Sequence, residues 1–316
     1  MSNQVIQVGP SWRGLATIKR LVVFGDSYSA VGAPIETPRT ATNPLGVPFP
    51  GPGCFTDYDS ARQRGRPNWV GHFITTYTPE PRYRDITSIE ENYPGYAQEQ
   101  DSAYERDPLL VYDYARGGKT IPDVISQIED QFLPRLGEWH RPQPAEGAGQ
   151  GGDAAKVWTS ANALFVTWVG INDCAFRSTR EAREEAFQRL FAAQDDLYQA
   201  GARNFVFIDV PHINRSPAVP ISHKDKSERY DDYNAMLLTH ARQFAIAHPH
   251  ATVLLFSSAR TLDRILDDPD IFDLPPGDVR EPFSSIWTDQ LHPTSAVHDV
   301  FAMDIAEFLN GVSASQ

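Results

Sequence analysis

At 316 residues the chain can bury a sizeable core as one large domain or two small ones, and its 41% hydrophobic and 22% charged content excludes an intrinsically disordered chain. No apolar run reaches the length of about 18 residues that a membrane-spanning helix needs. A formal charge of −13 repels phosphate, which argues against nucleic acid or an anionic membrane as partner and favours a neutral or cationic small molecule.

The opening segment, MSNQVIQVGPSWRGLATIKR, has no charged start followed by an apolar run and a small-residue cleavage site. No secretory signal is read there, so a cytoplasmic protein is expected, or a secreted one whose leader has been removed. The run LVVF at 21–24 predicts a short buried strand, and Gly-Asp-Ser-Tyr-Ser follows it at 25–29. These residues suit a turn and helix start, and Ser27 is equally placed as a nucleophile just past a strand end. The α/β-hydrolase elbow Gly-x-Ser-x-Gly is absent, because Ser29 stands at the second glycine position.

Residues 33–105, rich in Pro, Gly, Tyr and Asn, read as a long insertion of loops and short helices rather than a second domain. A strand is expected over 109–114 and a helix over 121–136, with Gly117 and Gly118 between them. Gly-Gly there is either a plain turn or a source of a free backbone N–H. The stretch RPQPAEGAGQGGD at 141–153 reads as a surface loop. The run ALFVTWV at 163–169 predicts a buried strand, and GIND at 170–173 follows it. Asn172 is either a cap or turn residue or an amide able to donate to a developing oxyanion.

Helices are expected over 180–200, 226–247 and 295–309, and strands over 204–210 (NFVFIDV) and 252–256 (TVLLF). Apolar strands alternating with amphipathic helices indicate a mostly parallel sheet covered on both faces, a three-layer α/β/α sandwich of five strands in a single elaborated domain over 1–316. Ligands of such sheets bind beyond the carboxyl ends of the strands. Near the C-terminus WTDQLHPT places Asp289 three residues before His292, a spacing at which a carboxylate can hold an imidazole N–H. The same pair could serve a metal, but no further His or Cys cluster accompanies it, so no metal and no cofactor is expected. Cys54 and Cys174 are too few for a disulfide framework and are expected as thiols. The Asn214-Arg215-Ser216 tripeptide matches a glycosylation acceptor, a match common by chance.

Four segments together resemble the GDSL, or SGNH, hydrolase superfamily: Gly25-Asp26-Ser27-Tyr28, the stretch 114–120, Gly170-Ile171-Asn172-Asp173, and Asp289-Gln290-Leu291-His292-Pro293. They occur in family order and span nearly the whole chain. The resemblance implies a flavodoxin-like fold and esterase activity. It implies Ser27 as nucleophile, His292 as base, Asp289 as its orienting acid, and an oxyanion hole from Ser27 N–H, Gly118 N–H and the Asn172 side chain. Departures are Tyr28 where leucine is common, Asp113 where asparagine is frequent, and Arg116 beside the glycines. The segments PSWRGLATIKRLVVFGDSYS, FPGPGCF, RPNWVGHF and DVPHINRSPA are similar to fungal acetylesterases of carbohydrate esterase family 16. That likeness implies a small-molecule acetyl ester as substrate. Acyl transfer, a lipase or thioesterase, and a catalytically inactive carbohydrate-binding protein are the alternatives. Asp26 and Asp173 are expected to anchor loops, His298 to face solvent or core, and His72, His212 and His223 to stand apart from the site. Trp69, Tyr96 and Trp287 either line a sugar cleft or pack loops.

Overall fold

The computed structural model describes residues 2–49, 55–59, 64–84, 101–137, 158–175, 179–223 and 226–315. Cys54, Tyr96 and the stretch 141–153 lie outside the described residues. The strands are β1 (Gln4–Gln7), β2 (Arg20–Gly25), β3 (Phe55–Asp59), β4 (Arg64–Pro67), β5 (Leu110–Asp113), β6 (Ala163–Trp168), β7 (Asn204–Ile208) and β8 (Thr252–Phe256).

One six-stranded sheet runs in the order β1-β8-β7-β6-β2-β5. All neighbours from β8 to β5 are parallel, and β1 pairs antiparallel with β8. The expected sheet of five strands therefore gains a sixth. Its four residues, QVIQ, bury little and carry no apolar run, so only pairing with β8 makes them a strand. β3 and β4 form a separate two-stranded ribbon inside the stretch expected to hold only loops and short helices.

The helices are α1 (Trp69–His72, continued by a π-helical turn Phe73–Tyr77), α2 (Ser102–Arg106), α3 (Ile121–Ser126, continued by the π-helix Gln127–Gly137), α4 (Ile171–Ala175), α5 (Arg180–Gln199), α6 (Glu228–Ala247), α7 (Ser258–Asp267) and α8 (Ser295–Asn310). α3, α5 and α6 pack on one another as one layer, and α1, α7 and α8 as the other, with the sheet between them. β6, β7 and β8 are buried at every position, as strands covered on both faces must be. No helix among the described residues is long and apolar enough to cross a membrane.

From β2 the chain crosses to β5 on one side and then returns to β6 on the other. The connections diverge at that point, which opens a crevice beyond the carboxyl ends of β2, β5 and β6. Ser27, Gly118 and Asn172 each follow one of those ends within a few residues.

Candidate active site

β2 ends in a close approach to β6. A Cβ on Gly25 would stand 2.3 Å from the Trp168 carbonyl oxygen, so only glycine fits. Beyond it the chain turns on Asp26, whose Oδ1 accepts the Tyr28 N–H at 3.1 Å. The turn carries Ser27, and 265 residues later in the chain His292 meets it: Ser27 Oγ and His292 Nε2 are 2.9 Å apart.

His292 Nδ1 lies 2.8 Å from Asp289 Oδ2, while Asp289 Oδ1 accepts the backbone N–H groups of Leu291 and His292. A carboxylate only accepts, so the ring proton of neutral His292 sits on Nδ1 and leaves Nε2 to accept from the serine hydroxyl. Burial pushes the Asp289 carboxyl up, but the His292 and Leu291 amides and the ring hold it below the usual carboxylate range. The Asp-x-x-His spacing thus becomes a closed turn in which one carboxylate fixes both the backbone and the imidazole.

Three candidate donors follow the ends of β2, β5 and β6. Among the described residues neither the Ser27 nor the Gly118 backbone N–H is taken by a protein acceptor. Gly118 has φ +75°, and a Cβ there would meet nothing within 4 Å, so backbone conformation rather than crowding calls for glycine. The Asn172 amide gives one N–H to the Lys119 carbonyl at 2.9 Å, which leaves its second for a ligand. Gly170, before it, has φ +129°, and its missing Cβ makes room for the Tyr233 ring.

The departures from the motifs have physical reasons. Tyr28 places its hydroxyl 2.8 Å from the Leu291 carbonyl and so ties the serine turn to the histidine loop, a bond leucine cannot make. Asp113 accepts Ala115 N–H on one oxygen and Val31 N–H on the other, where asparagine offers a single acceptor. Burial raises its pKa to about 7, opposed by those two amides and by Arg116 and Arg39. Arg116 itself donates to the carbonyls of Ala33 and Ala115.

One contributor escaped the sequence reading. Gln127, buried at the start of the π-helix, accepts the Gly25 N–H and donates to the Gly25 carbonyl, both at 2.9 Å. It completes the hydrogen bonds of β2 two residues before Ser27. No local pattern marks it, since a glutamine in an amphipathic helix reads as a surface residue.

A second Asp–His–Ser chain exists. His72 Nδ1 is 3.1 Å from Asp299 and its Nε2 2.8 Å from Ser295 Oγ. Ser295, however, is buried and donates its hydroxyl proton to the Pro67 carbonyl at 2.7 Å, so it has none to give to His72. This chain fastens α8 to α1 and β4. His298 is buried, accepts the Trp69 N–H, and desolvation lowers its pKa to about 3, which settles the choice between solvent and core. His212 lies between Asp263 and Asp231 beside Arg215, and His223 is exposed. Trp69 and Trp287 are buried and donate to Ser29 Oγ and to the Val279 carbonyl, so both pack loops instead of lining a cleft. Cys174 is a buried free thiol, pushed up to about 12 by burial.

No family model matches the chain. It is 26% identical, over 93% of its own length and 89% of the other, to a protein named acetylesterase from Thermothelomyces thermophilus. Its fold superposes on the crystal structure of a GDSL-like lipase from Parabacteroides merdae with a TM-score of 0.50 at 12% identity, covering 97% of this chain and all of that one. The α/β/α sheet thus brings a serine, a histidine and an aspartate into one hydrogen-bonded chain just past the end of β2. More particularly, the chain is similar over nearly its whole length to that acetylesterase and shares the fold of the GDSL-like lipase.

Proposed function

We propose that the protein is a serine esterase that removes small acyl groups, acetyl foremost, from a sugar or small natural product through an acyl-enzyme on Ser27. The observation that carries this reading is the hydrogen-bonded chain Asp289–His292–Ser27. Ser27 gives its proton to His292 Nε2 as Oγ bonds to the ester carbonyl carbon, and Asp289 holds the imidazolium that forms. The Ser27 and Gly118 N–H groups and Asn172 receive the oxyanion. The tetrahedral intermediate collapses as the carbon–oxygen bond to the alcohol breaks, and His292 returns the proton to the departing alcohol. Water, deprotonated by the same base, then frees the acid and restores Ser27.

Two things support a small acyl group and a polar alcohol. The relative from Thermothelomyces thermophilus is named acetylesterase. Sequence segments 51–69 and 93–107, expected to border the site, mix charges with aromatics, whereas a fatty chain needs an apolar channel to gain about 0.8 kcal/mol per buried methylene. The substrate is expected to be a small molecule, with no cofactor, nucleic acid or membrane partner. The test is kcat/KM across p-nitrophenyl acetate, butyrate and octanoate. A fall with chain length is expected, and a steady rise overturns the acetyl preference in favour of a lipase.

A further inference from the structure

A cavity of about 280 Å³ gathers Asn214, His223, Lys226, Arg229 and Tyr230, and no carboxylate lines it among the described residues. Its walls are bonded to two segments of the site. The Arg229 guanidinium donates at 3.1 Å to the carbonyl of Cys174, which follows Asn172 by two residues on α4. The N–H of Ala218, also in the wall, donates at 2.8 Å to the carbonyl of Gln290, which stands between Asp289 and His292 in the chain.

The polar groups of this cavity are not used up within the protein. Neither Lys226 nor Arg229 has a carboxylate partner among the described residues, and the Lys226 side chain makes no hydrogen bond to them. Tyr230 is 4% exposed, and its hydroxyl has no hydrogen-bond partner among the described residues. A buried hydroxyl is costly to leave unpaired, so this one calls for a partner from the cavity side. Asn214, also buried, adds an amide to the wall. The cavity of about 360 Å³ beside β1 differs: Arg260 and Arg264 share it with Asp304 and Glu307, and Arg264 is paired with Asp304 at 2.9 Å. The chain's net charge of −13 repels an anion at long range, but salt screens that field over about 8 Å at physiological ionic strength, so cations in contact with the anion prevail.

We infer that this cavity receives an anionic group, a carboxylate or a phosphate, carried on the alcohol half of the ester. Lys226 offers a movable point charge, and Arg229 a guanidinium fixed in place by its bond to Cys174. The Tyr230 hydroxyl and the Asn214 amide add hydrogen bonds to the same group. The substrate class is then an acylated acidic sugar or sugar phosphate in preference to a neutral sugar. An anion held away from the bond that breaks is held equally before and in the transition state, so the contact lowers KM and leaves kcat in place. The assignment to the alcohol half rests on the esterase reading, whereas the anion site does not.

The test compares kcat/KM for a monoacetylated methyl glucoside with two matched esters, the methyl glucuronoside and the methyl glucoside phosphorylated at its primary hydroxyl. The preferred anion is expected to gain roughly tenfold over the neutral ester, through KM, and the arm with the larger gain tells carboxylate from phosphate. Raising NaCl to about 0.5 M is expected to shrink that gain. Lys226→Glu, whose site makes no side-chain bond in the fold, is expected to lower the anionic-to-neutral ratio roughly tenfold or more. A neutral ester turned over as well as both anions, or a ratio that Lys226→Glu leaves unmoved, overturns the inference while the esterase reading stands. If none of the esters is hydrolysed, isothermal titration with methyl glucuronoside and with the phosphorylated methyl glucoside decides. Binding that Lys226→Glu weakens upholds the anion site, and the esterase reading alone fails; no binding of either anion, or binding the variant leaves unchanged, overturns the site.

Discussion

Ser27 and Ser295 each end an Asp–His–Ser chain, and the destination of one proton separates them. The Ser27 hydroxyl has His292 as its partner, while the Ser295 hydroxyl is committed to a carbonyl. Ser27→Ala and His292→Ala are each expected to lower kcat by roughly 10³-fold or more and by similar amounts, because the two act as one unit. Ser295→Ala is expected to stay within about twofold in kcat and to cost roughly 1 kcal/mol of stability. Retention of a tenth of the wild-type rate by Ser27→Ala sinks the assignment. Asn172→Ala is expected to lower kcat by roughly 10² to 10³ with little change in KM, since the oxyanion exists only in the transition state. A pure KM effect makes it a ground-state contact instead.

At the level of elements, the serine turn is held from three directions: by Gln127 from the π-helix, by Tyr28 reaching Leu291, and by β6 packed against Gly25. Gln127→Leu leaves the Gly25 N–H buried and unpaired while its carbonyl keeps the Arg116 N–H. A loss of about 1–3 kcal/mol in urea unfolding is expected, with a lower kcat, because Ser27 rides on the end of β2. Unchanged urea midpoint and rate show that the turn holds itself.

For the whole molecule, buried carboxyls dominate the dependence of stability on pH. Burial raises Asp26 and Asp113 to about 7 and Asp173 and Asp209 to about 6. The folded chain keeps these protons where the unfolded chain has lost them, so their contribution is fully present below an unfolded carboxyl's pKa and is lost as pH rises through 6 to 7. Buried His298, lowered to about 3, works the other way only below its ordinary 6.5. The net charge of −13 adds self-repulsion at neutral pH in the same direction as the carboxyls. Tm is therefore expected to be roughly 3 °C or more higher near pH 5.5 than at pH 8, by calorimetry. A flat or rising Tm over that interval contradicts the buried-acid account.

The parallel strands, the long helices and the four motif segments were legible in the sequence because each is a local signal. A run such as TVLLF at 252–256 has no alternative to burial, and Asp289 and His292 are close enough in sequence to pair within one turn. What only the tertiary structure decided depends on partners distant in the chain. β1 is a strand only because β8 accepts it, and Gln127 matters only because Gly25 arrives beside it. Two Asp–His–Ser chains are told apart only by where Pro67 places its carbonyl, and Tyr28 reaches Leu291 only after the serine turn and the histidine loop are packed together. Side-chain identity and spacing determine which chemistry this chain has available. Burial and long-range contact decide which groups perform it, because desolvation and hydrogen-bond partnership are properties of the packed molecule and have no local signature.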